Sequence, residues 1–144
     1  MLEELRAALY CSRLMTGDPY DLRTGDVVDA ATLGGAAILG RDDIGRLVPR
    51  ARADIVLVDV GHPAMLPLRV PLKSLIYVAA ERAVRDVFVG GEPVVRDGRC
   101  LTIDQKAAAA AVHEAHLRAR EQVARLDWAG RDHWTIVPPV YPFA

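Results

Sequence analysis

The sequence predicts an α+β fold, on three observations. Apolar residues recur at helical spacing early in the chain, β-branched runs with Gly-Gly and Asp-Gly turns follow, and a long alanine-rich helix comes last. Helical and strand segments thus occupy separate parts of the chain, which is typical of α+β proteins. We predict three parts, residues 1–42, 43–103 and 104–144.

The first part contains two predicted helices. Residues 2–15 place four apolar side chains near one face, and Gly17 suits the position past the helix end. A second helix is predicted over residues 24–39, with Thr24 as its N-cap. The pair Gly34-Gly35 inside it costs about 1 kcal/mol per glycine relative to alanine. The pair therefore indicates either a close approach of two backbones or a kinked or frayed helix.

The middle part is predicted to be β-rich. Residues 53–59 contain a short β-branched apolar run between two aspartates, which predicts a strand buried on both faces. Residues 75–78 are a second short strand or an extended segment. An antiparallel meander follows, because Gly-Gly and Asp-Gly dipeptides allow the positive φ of tight hairpin turns. Its strands are residues 84–89, 93–96 and 99–103.

The last part is a helix followed by a tail. Asp104 is the predicted N-cap of a helix over residues 105–126, which the alanine run favours. Residues 127–144 are predicted to lie extended against a surface, since aromatic residues alternate there with three prolines. The aromatic residues are Trp128, Trp134, Tyr141 and Phe143. We expect the two tryptophans to cover apolar surface rather than line a pocket or a dimer contact.

Composition and charge argue against several classes of protein. Of 144 residues, 51% are hydrophobic and 26% charged, which supports a packed core. The formal net charge of −1 lacks the basic excess of a nucleic-acid binder, and no apolar run reaches the ~20 residues that span a bilayer. The acidic start also lacks the positive charge of a secretory signal, and Cys11 and Cys100 are too few for a disulfide framework. We expect a cytoplasmic protein that binds neither nucleic acid nor membrane.

Two segments carry a family resemblance. Residues 31–40 read ATLGGAAILG and are followed by Ile44-Gly45-Arg46-Leu47 and, at residues 51–59, by ARADIVLVD. Residues 84–99 read VRDVFVGGEPVVRDGR. In this order they resemble the C-terminal part of the metal-dependent amidohydrolases, in the branch of chlorohydrolases and N-heterocycle deaminases. The sequence departs from the family pattern at residues 49–51, where Pro-Arg-Ala stands in place of Pro-Gly-Lys.

The resemblance covers about residues 1–125 and implies an architecture. Residues 1–42 would be terminal helices of a (β/α) barrel, residues 43–103 part of a composite β-sandwich, and residues 104–144 a C-terminal helix and tail. Residues 1–9 resemble the family sequence that follows the last metal-binding aspartate of the barrel. The chain is therefore expected to be a truncated C-terminal fragment. Its expected partner is the missing N-terminal barrel portion, or a second copy bound through exposed apolar faces.

The resemblance also implies a chemistry. Family members hydrolyse carbon–nitrogen or carbon–halogen bonds of small N-heterocycles, and a divalent metal, zinc or iron, lowers the pKa of the attacking water. The implied ligands are an HxH pair, two later histidines and an aspartate, and this chain contains no HxH. We expect no catalytic, cofactor-binding or metal-binding residue in it and no activity of the chain alone. The alternative is a non-catalytic fragment or an interaction module.

The four histidines all have a structural interpretation. His113 and His116 are three residues apart on the predicted last helix and could share a metal ion, but a solvated helix face is the favoured interpretation. His62 precedes a proline in an irregular stretch, so a surface or hydrogen-bonding role is expected. His133, in the tail, has no predicted position.

Other reactive residue types are interpreted in the same way. Cys11 lies in a helix without a visible His or Asp partner, and we expect it to pack rather than react. Asp54 and Asp59 flank a strand and are expected to cap turns. The pairs Gly34-Gly35 and Gly90-Gly91 lack the strand and helix context of a phosphate-binding loop.

Overall fold

The structure is a computed structural model that describes residues 1–140. The chain divides into two compact units, Met1–Thr102 and a second that begins at Ile103. The first holds helices and a four-stranded sheet, and the second is helical. The predicted α+β class is confirmed. The predicted boundary between residues 42 and 43 stays a prediction.

Two helices open the first unit. Helix α1 is Leu2–Thr16 and ends at Gly17, whose backbone is left-handed with φ +72°. Helix α2 covers residues 24–38 as Thr24–Asp29, a π-helical turn Ala30–Gly34, and Gly35–Ile38. The predicted cap at Thr24 is wrong, because Arg23 is the extended N-cap residue and Thr24 is already helical. The Asp26 carboxylate accepts the Arg23 backbone N–H at 2.7 Å, which stabilises this start.

The glycine pair of α2 lies at the irregular part of the helix. A Cβ added at Gly35 would meet nothing within 4 Å, and one at Gly34 would make only ordinary contacts. The π-helical turn therefore accounts for the pair, rather than a close neighbour. The close approach occurs at Gly45 instead, where φ is +76° and an added Cβ would lie 2.6 Å from the Thr32 carbonyl oxygen.

The sheet has four antiparallel strands in chain order, β1 (Ile55–Val58), β2 (Val84–Val89), β3 (Glu92–Arg96) and β4 (Arg99–Cys100). The meander is confirmed, although β4 ends three residues before its predicted end. Gly90 and Gly91 form the first hairpin turn with φ of +60° and +89°. The prediction that β1 is buried on both faces is wrong. Val56 and Leu57 are 54% and 37% exposed, and as neighbours in a strand they point to opposite faces, so both faces of β1 are partly in solvent.

The predicted strand at residues 75–78 is wrong, because this segment is helical. Helix α3 covers residues 71–79, as Pro71–Ser74 and a π-helical turn Leu75–Ala79, and a 3₁₀ turn Ala80–Ala83 follows. The buried residues here recur at spacings of three and four, which is the helical period. They are Ile76, Ala79, Ala80 and Ala83. A short apolar run does not by itself distinguish a strand from a buried helix.

The core of the first unit consists of two small clusters. Leu9, Val27 and Ile76 join α1, α2 and α3. Met65, from the 3₁₀ turn Pro63–Met65, packs with Ala79 and Ala83, and Val58 of β1 borders this second cluster. Four of the eight buried hydrophobic residues within residues 1–140 are alanines, so this core is built largely from small side chains.

The second unit begins with the long helix α4, Gln105–Leu126. The Asp104 carboxylate accepts the backbone N–H groups of Lys106 and Ala107, each at 3.0 Å, so the predicted cap is confirmed. The extended tail is wrong in part, because a short helix α5, His133–Ile136, begins at a capping Asp132. Tyr141 and Phe143 lie outside the described residues. None of the helices within residues 1–140 has the length and apolarity needed to cross a membrane.

Candidate functional site

An apolar cleft of about 550 Å³ opens inside the first unit. Its walls come from the start of α1, from α2 and α3, and from the face of β1 and β2. The side chains that define it are Leu2, Leu5, Val28, Val58, Leu75 and Val87. Glu3 and Glu81 are the carboxylates among its lining residues. A lining with this many aliphatic side chains is suited to burying apolar surface.

A second cavity of the first unit is polar. It measures about 480 Å³ and lies among the end of α1, the start of α2 and α3. Three cationic side chains line it, those of Arg13, Arg23 and Lys73, together with the carboxylate of Asp26. The Arg23 backbone N–H holds the pKa of the Asp26 carboxyl below its usual range, so the carboxylate stays ionised. No local motif links α1 to α3, so the sequence alone does not predict that these four charged side chains line one cavity.

The histidines are dispersed over the two units. His62 accepts the Ala64 backbone N–H on its Nδ1 at 3.1 Å, which is the expected hydrogen-bonding role. His113 and His116 are both exposed on α4. His116 faces the ring of His133 edge-on at 6.3 Å between centroids, and His133 packs against Trp134 at 4.9 Å. The structure thus pairs His116 with His133 rather than with His113.

Residues 1–140 contain no group of three or more His, Cys, Asp or Glu side chains that could hold a metal ion. A hydrolytic zinc or iron site needs at least three protein ligands. The described residues therefore do not fit the divalent metal that the family resemblance implies. No step of metal chemistry can be built on the side chains of these described residues.

The two aspartates that flank β1 act in turns, as expected. The Asp54 carboxylate accepts the Gly90 backbone N–H at 2.6 Å, which joins the first hairpin turn to the residue that precedes β1. Asp59 accepts the Gly61 backbone N–H at 2.9 Å. Cys11 is exposed rather than packed in the core. The expectation that it serves as a packing residue is therefore wrong, because its side of α1 faces away from the Leu9 cluster.

The tryptophans of the second unit differ in exposure. Trp128 is 89% exposed and Trp134 is 44% exposed. The guanidinium of Arg131 lies 5.4 Å from the Trp128 ring centroid, and that of Arg120 lies 5.0 Å from the Trp134 ring. The expectation that both cover apolar surface does not hold for Trp128, whose ring is nearly all in solvent.

Comparison with known proteins decides the family. A sequence model of the amidohydrolase family matches residues 1–94. The chain belongs to the amidohydrolase family. The match covers α1, α2, α3, β1 and β2, which supply the cleft walls, and it ends at residue 94 within β3.

Curated relatives extend the similarity toward the end of α4. A 5-methylthioadenosine/S-adenosylhomocysteine deaminase of Desulforudis audaxviator is 39% identical over 126 residues, which are 87% of this chain and 27% of that protein. The protein of the same name from Pelotomaculum thermopropionicum is 35% identical over 118 residues, 82% of this chain and 27% of that protein. The chain spans about a quarter of the length of the curated relatives it matches.

Solved structures show the same fold. An adenosine deaminase from Xanthomonas campestris with bound zinc superposes with a TM-score of 0.77 and 33% identity, over 84% of this chain and 28% of that chain. The atrazine chlorohydrolase of Arthrobacter aurescens, also complexed with zinc, gives a TM-score of 0.70 and 26% identity, over 79% of this chain and 26% of that chain. The predicted resemblance to a part of an amidohydrolase is confirmed.

Proposed function

We propose that this chain is the C-terminal part of an amidohydrolase that deaminates a purine nucleoside or a similar N-heterocycle. In that reaction water replaces an amino group on the ring, and ammonia leaves. The observation that carries the proposal is the identity of 39% and 35% to proteins named as 5-methylthioadenosine/S-adenosylhomocysteine deaminases. The solved structures that superpose on the chain include both an adenosine deaminase, at 33% identity, and an atrazine chlorohydrolase, at 26% identity.

The role of this chain in such an enzyme is structural. Its described side chains provide no metal site, so the implied ligands belong to the barrel portion that the relatives contain. The apolar cleft supports a structural role for this chain. Leu2 and Leu5 of α1 and the valines of β1 and β2 line one open apolar surface that another part of the enzyme can cover. Burial of apolar area stabilises association by about 25 cal/mol per Å². We propose that the barrel portion covers this cleft, and that the enzyme works in the cytoplasm.

The native polypeptide that carries this chain provides the test. An antibody against the chain is used to capture it from fractionated source cells, and its mass, metal content and activity are measured. We expect a cytoplasmic polypeptide of the relatives' size that contains zinc or iron. It should release ammonia from 5-methylthioadenosine or S-adenosylhomocysteine faster than chloride from atrazine.

Three results would count against the proposal. If chloride release from atrazine were the faster reaction, the enzyme would be a chlorohydrolase rather than a deaminase. A captured polypeptide no larger than 144 residues that releases no ammonia would leave the interaction module as the function. The purified 144-residue chain is the matched control, and ammonia release by it in proportion to added zinc would contradict the structural role assigned here.

A further inference from the structure

The polar cavity of the first unit has the features of a ligand-binding site, whether or not the proposed function holds. It lies between the end of α1, the start of α2 and α3, and its lining includes Arg13, Tyr20, Thr24 and Lys73. Three cationic side chains and one carboxylate leave a local excess of two positive charges. The formal net charge of the whole chain is −1, so this excess is a local feature. Such a concentration of one sign attracts an anion.

Arg13 is held in position without a carboxylate partner among residues 1–140. Its Nε donates to the Asp21 carbonyl at 3.2 Å and its Nη2 to the Leu22 carbonyl at 3.3 Å. Its guanidinium also lies 5.6 Å from the centroid of the Tyr77 ring. The two carbonyls and the ring orient the guanidinium but do not neutralise its charge, so it keeps N–H groups for a ligand.

Thr24 is a second, independent indication of a ligand. Its side chain lines the cavity and only 9% of the residue is exposed, yet its hydroxyl makes no hydrogen bond within residues 1–140. No fully buried side-chain oxygen or nitrogen among these residues lacks a partner, so the Thr24 hydroxyl keeps some accessible surface. A polar group in such a position is normally bonded to water or to a ligand.

We propose that this cavity binds a phosphorylated small molecule, with the phosphate held by Arg13, Lys73 and the Thr24 hydroxyl and the rest of the molecule against Tyr20. A phosphate monoester carries close to two negative charges near neutral pH, which match the local excess better than the single charge of a carboxylate. Its three free oxygens accept hydrogen bonds from several donors at once.

The size of the cavity indicates more than a free phosphate ion. Its volume of about 480 Å³ lies within the usual range for small-molecule sites, roughly 300–1,000 Å³. Tyr20 is 85% exposed and offers an aromatic face for the remainder of the ligand. The same phosphate chemistry could come from inorganic phosphate, and the two sources give different binding data.

Calorimetric titration of the purified full chain with phenyl phosphate and with orthophosphate tests the proposal. Phenyl phosphate should bind at least about tenfold more tightly than orthophosphate, and Tyr20→Ala should remove this difference while orthophosphate binding stays unchanged. Lys73→Met and Thr24→Val should each weaken phenyl phosphate binding by roughly tenfold. Lys73→Arg should restore most of the affinity, because it keeps the charge.

Matched controls separate binding from folding. Lys106→Met removes a lysine that does not line the cavity, and it should change the affinity by less than about twofold. Thr24→Val should leave the thermal midpoint unchanged, since no hydrogen bond is lost. Absence of binding for both probes at millimolar concentration overturns the proposal. A loss of phenyl phosphate affinity in Lys106→Met as large as that in Lys73→Met also overturns it. Equal affinity for the two probes overturns the contact with Tyr20 and leaves a site for free phosphate.

Discussion

Replacing Leu9 by alanine tests how the helices of the first unit are held together. Leu9 is fully buried and packs against Val27 of α2 and Ile76 of α3. Alanine in its place removes apolar contacts and leaves a cavity between three helices, which costs about 2–5 kcal/mol for a buried leucine. Because three separate elements surround the site, it cannot collapse easily. We expect a loss of about 3 kcal/mol in the free energy of unfolding.

Leu14→Ala is the matched control on the same helix. Leu14 is 84% exposed, and alanine has a slightly higher helix propensity than leucine, so the change should stay within about 0.5 kcal/mol. Urea unfolding of the full chain, followed by circular dichroism, measures both variants. A shift of the midpoint at constant m-value reports a change in stability. A loss below about 1 kcal/mol in Leu9→Ala, or an equal loss in Leu14→Ala, would refute the packing described here.

Three further perturbations address the N-cap of α4 at Asp104, the loop after α4, and the turn at Gly45. Asp104→Ala should lower stability by about 1 kcal/mol and reduce the helical circular dichroism signal, because two backbone N–H groups lose their acceptor; an unchanged signal would contradict the cap. Hydrogen bonds from an arginine partner and from backbone N–H groups hold the pKa of the Asp127 carboxyl well below its usual range. The pKa of Asp127 in the folded chain is thus lower than its pKa in the unfolded chain, which is about 3.9. The ionised Asp127 therefore stabilises the fold above about pH 3.9, and this stabilisation is lost as the pH falls toward the folded pKa. Amide proton shifts of the loop should follow this titration in the wild-type chain and lose it in Asp127→Asn. Gly45→Ala should destabilise the chain more than Gly17→Ala does, as measured by thermal midpoints, because both need positive φ and only Gly45 lies against the Thr32 carbonyl; equal midpoints would contradict the close contact.

Much of the fold could be predicted because its signals are local. The stripe of α1 with its terminal glycine, the two dipeptide turns of the meander and the cap at Asp104 each act within a few residues of the chain. Turn and capping chemistry of this kind needs no tertiary partner. The same is true of the family motifs, which are continuous stretches of sequence.

Two of the wrong predictions, the strand at residues 75–78 and the burial of β1, share one physical cause, which is packing against elements that are distant in the sequence. Residues 75–78 are helical because Ile76 packs against Leu9 and Val27, and a four-residue apolar run carries no information about that partner. The exposure of Val56 depends on what covers the sheet, not on the strand itself. Arg23 rather than Thr24 caps α2, because the Asp26 carboxylate reaches back to it.

The sequence by itself determined the family, the turns of the meander and the lack of an HxH metal motif. These features are written in continuous stretches of chain, where residue types and short spacings are sufficient. Only the tertiary structure decided which distant side chains meet. Arg13, Thr24 and Lys73 come from three helices and line one cavity, because the Leu9 cluster packs those helices together. Spacing along a chain does not specify such contacts, since they depend on how apolar faces are buried against one another.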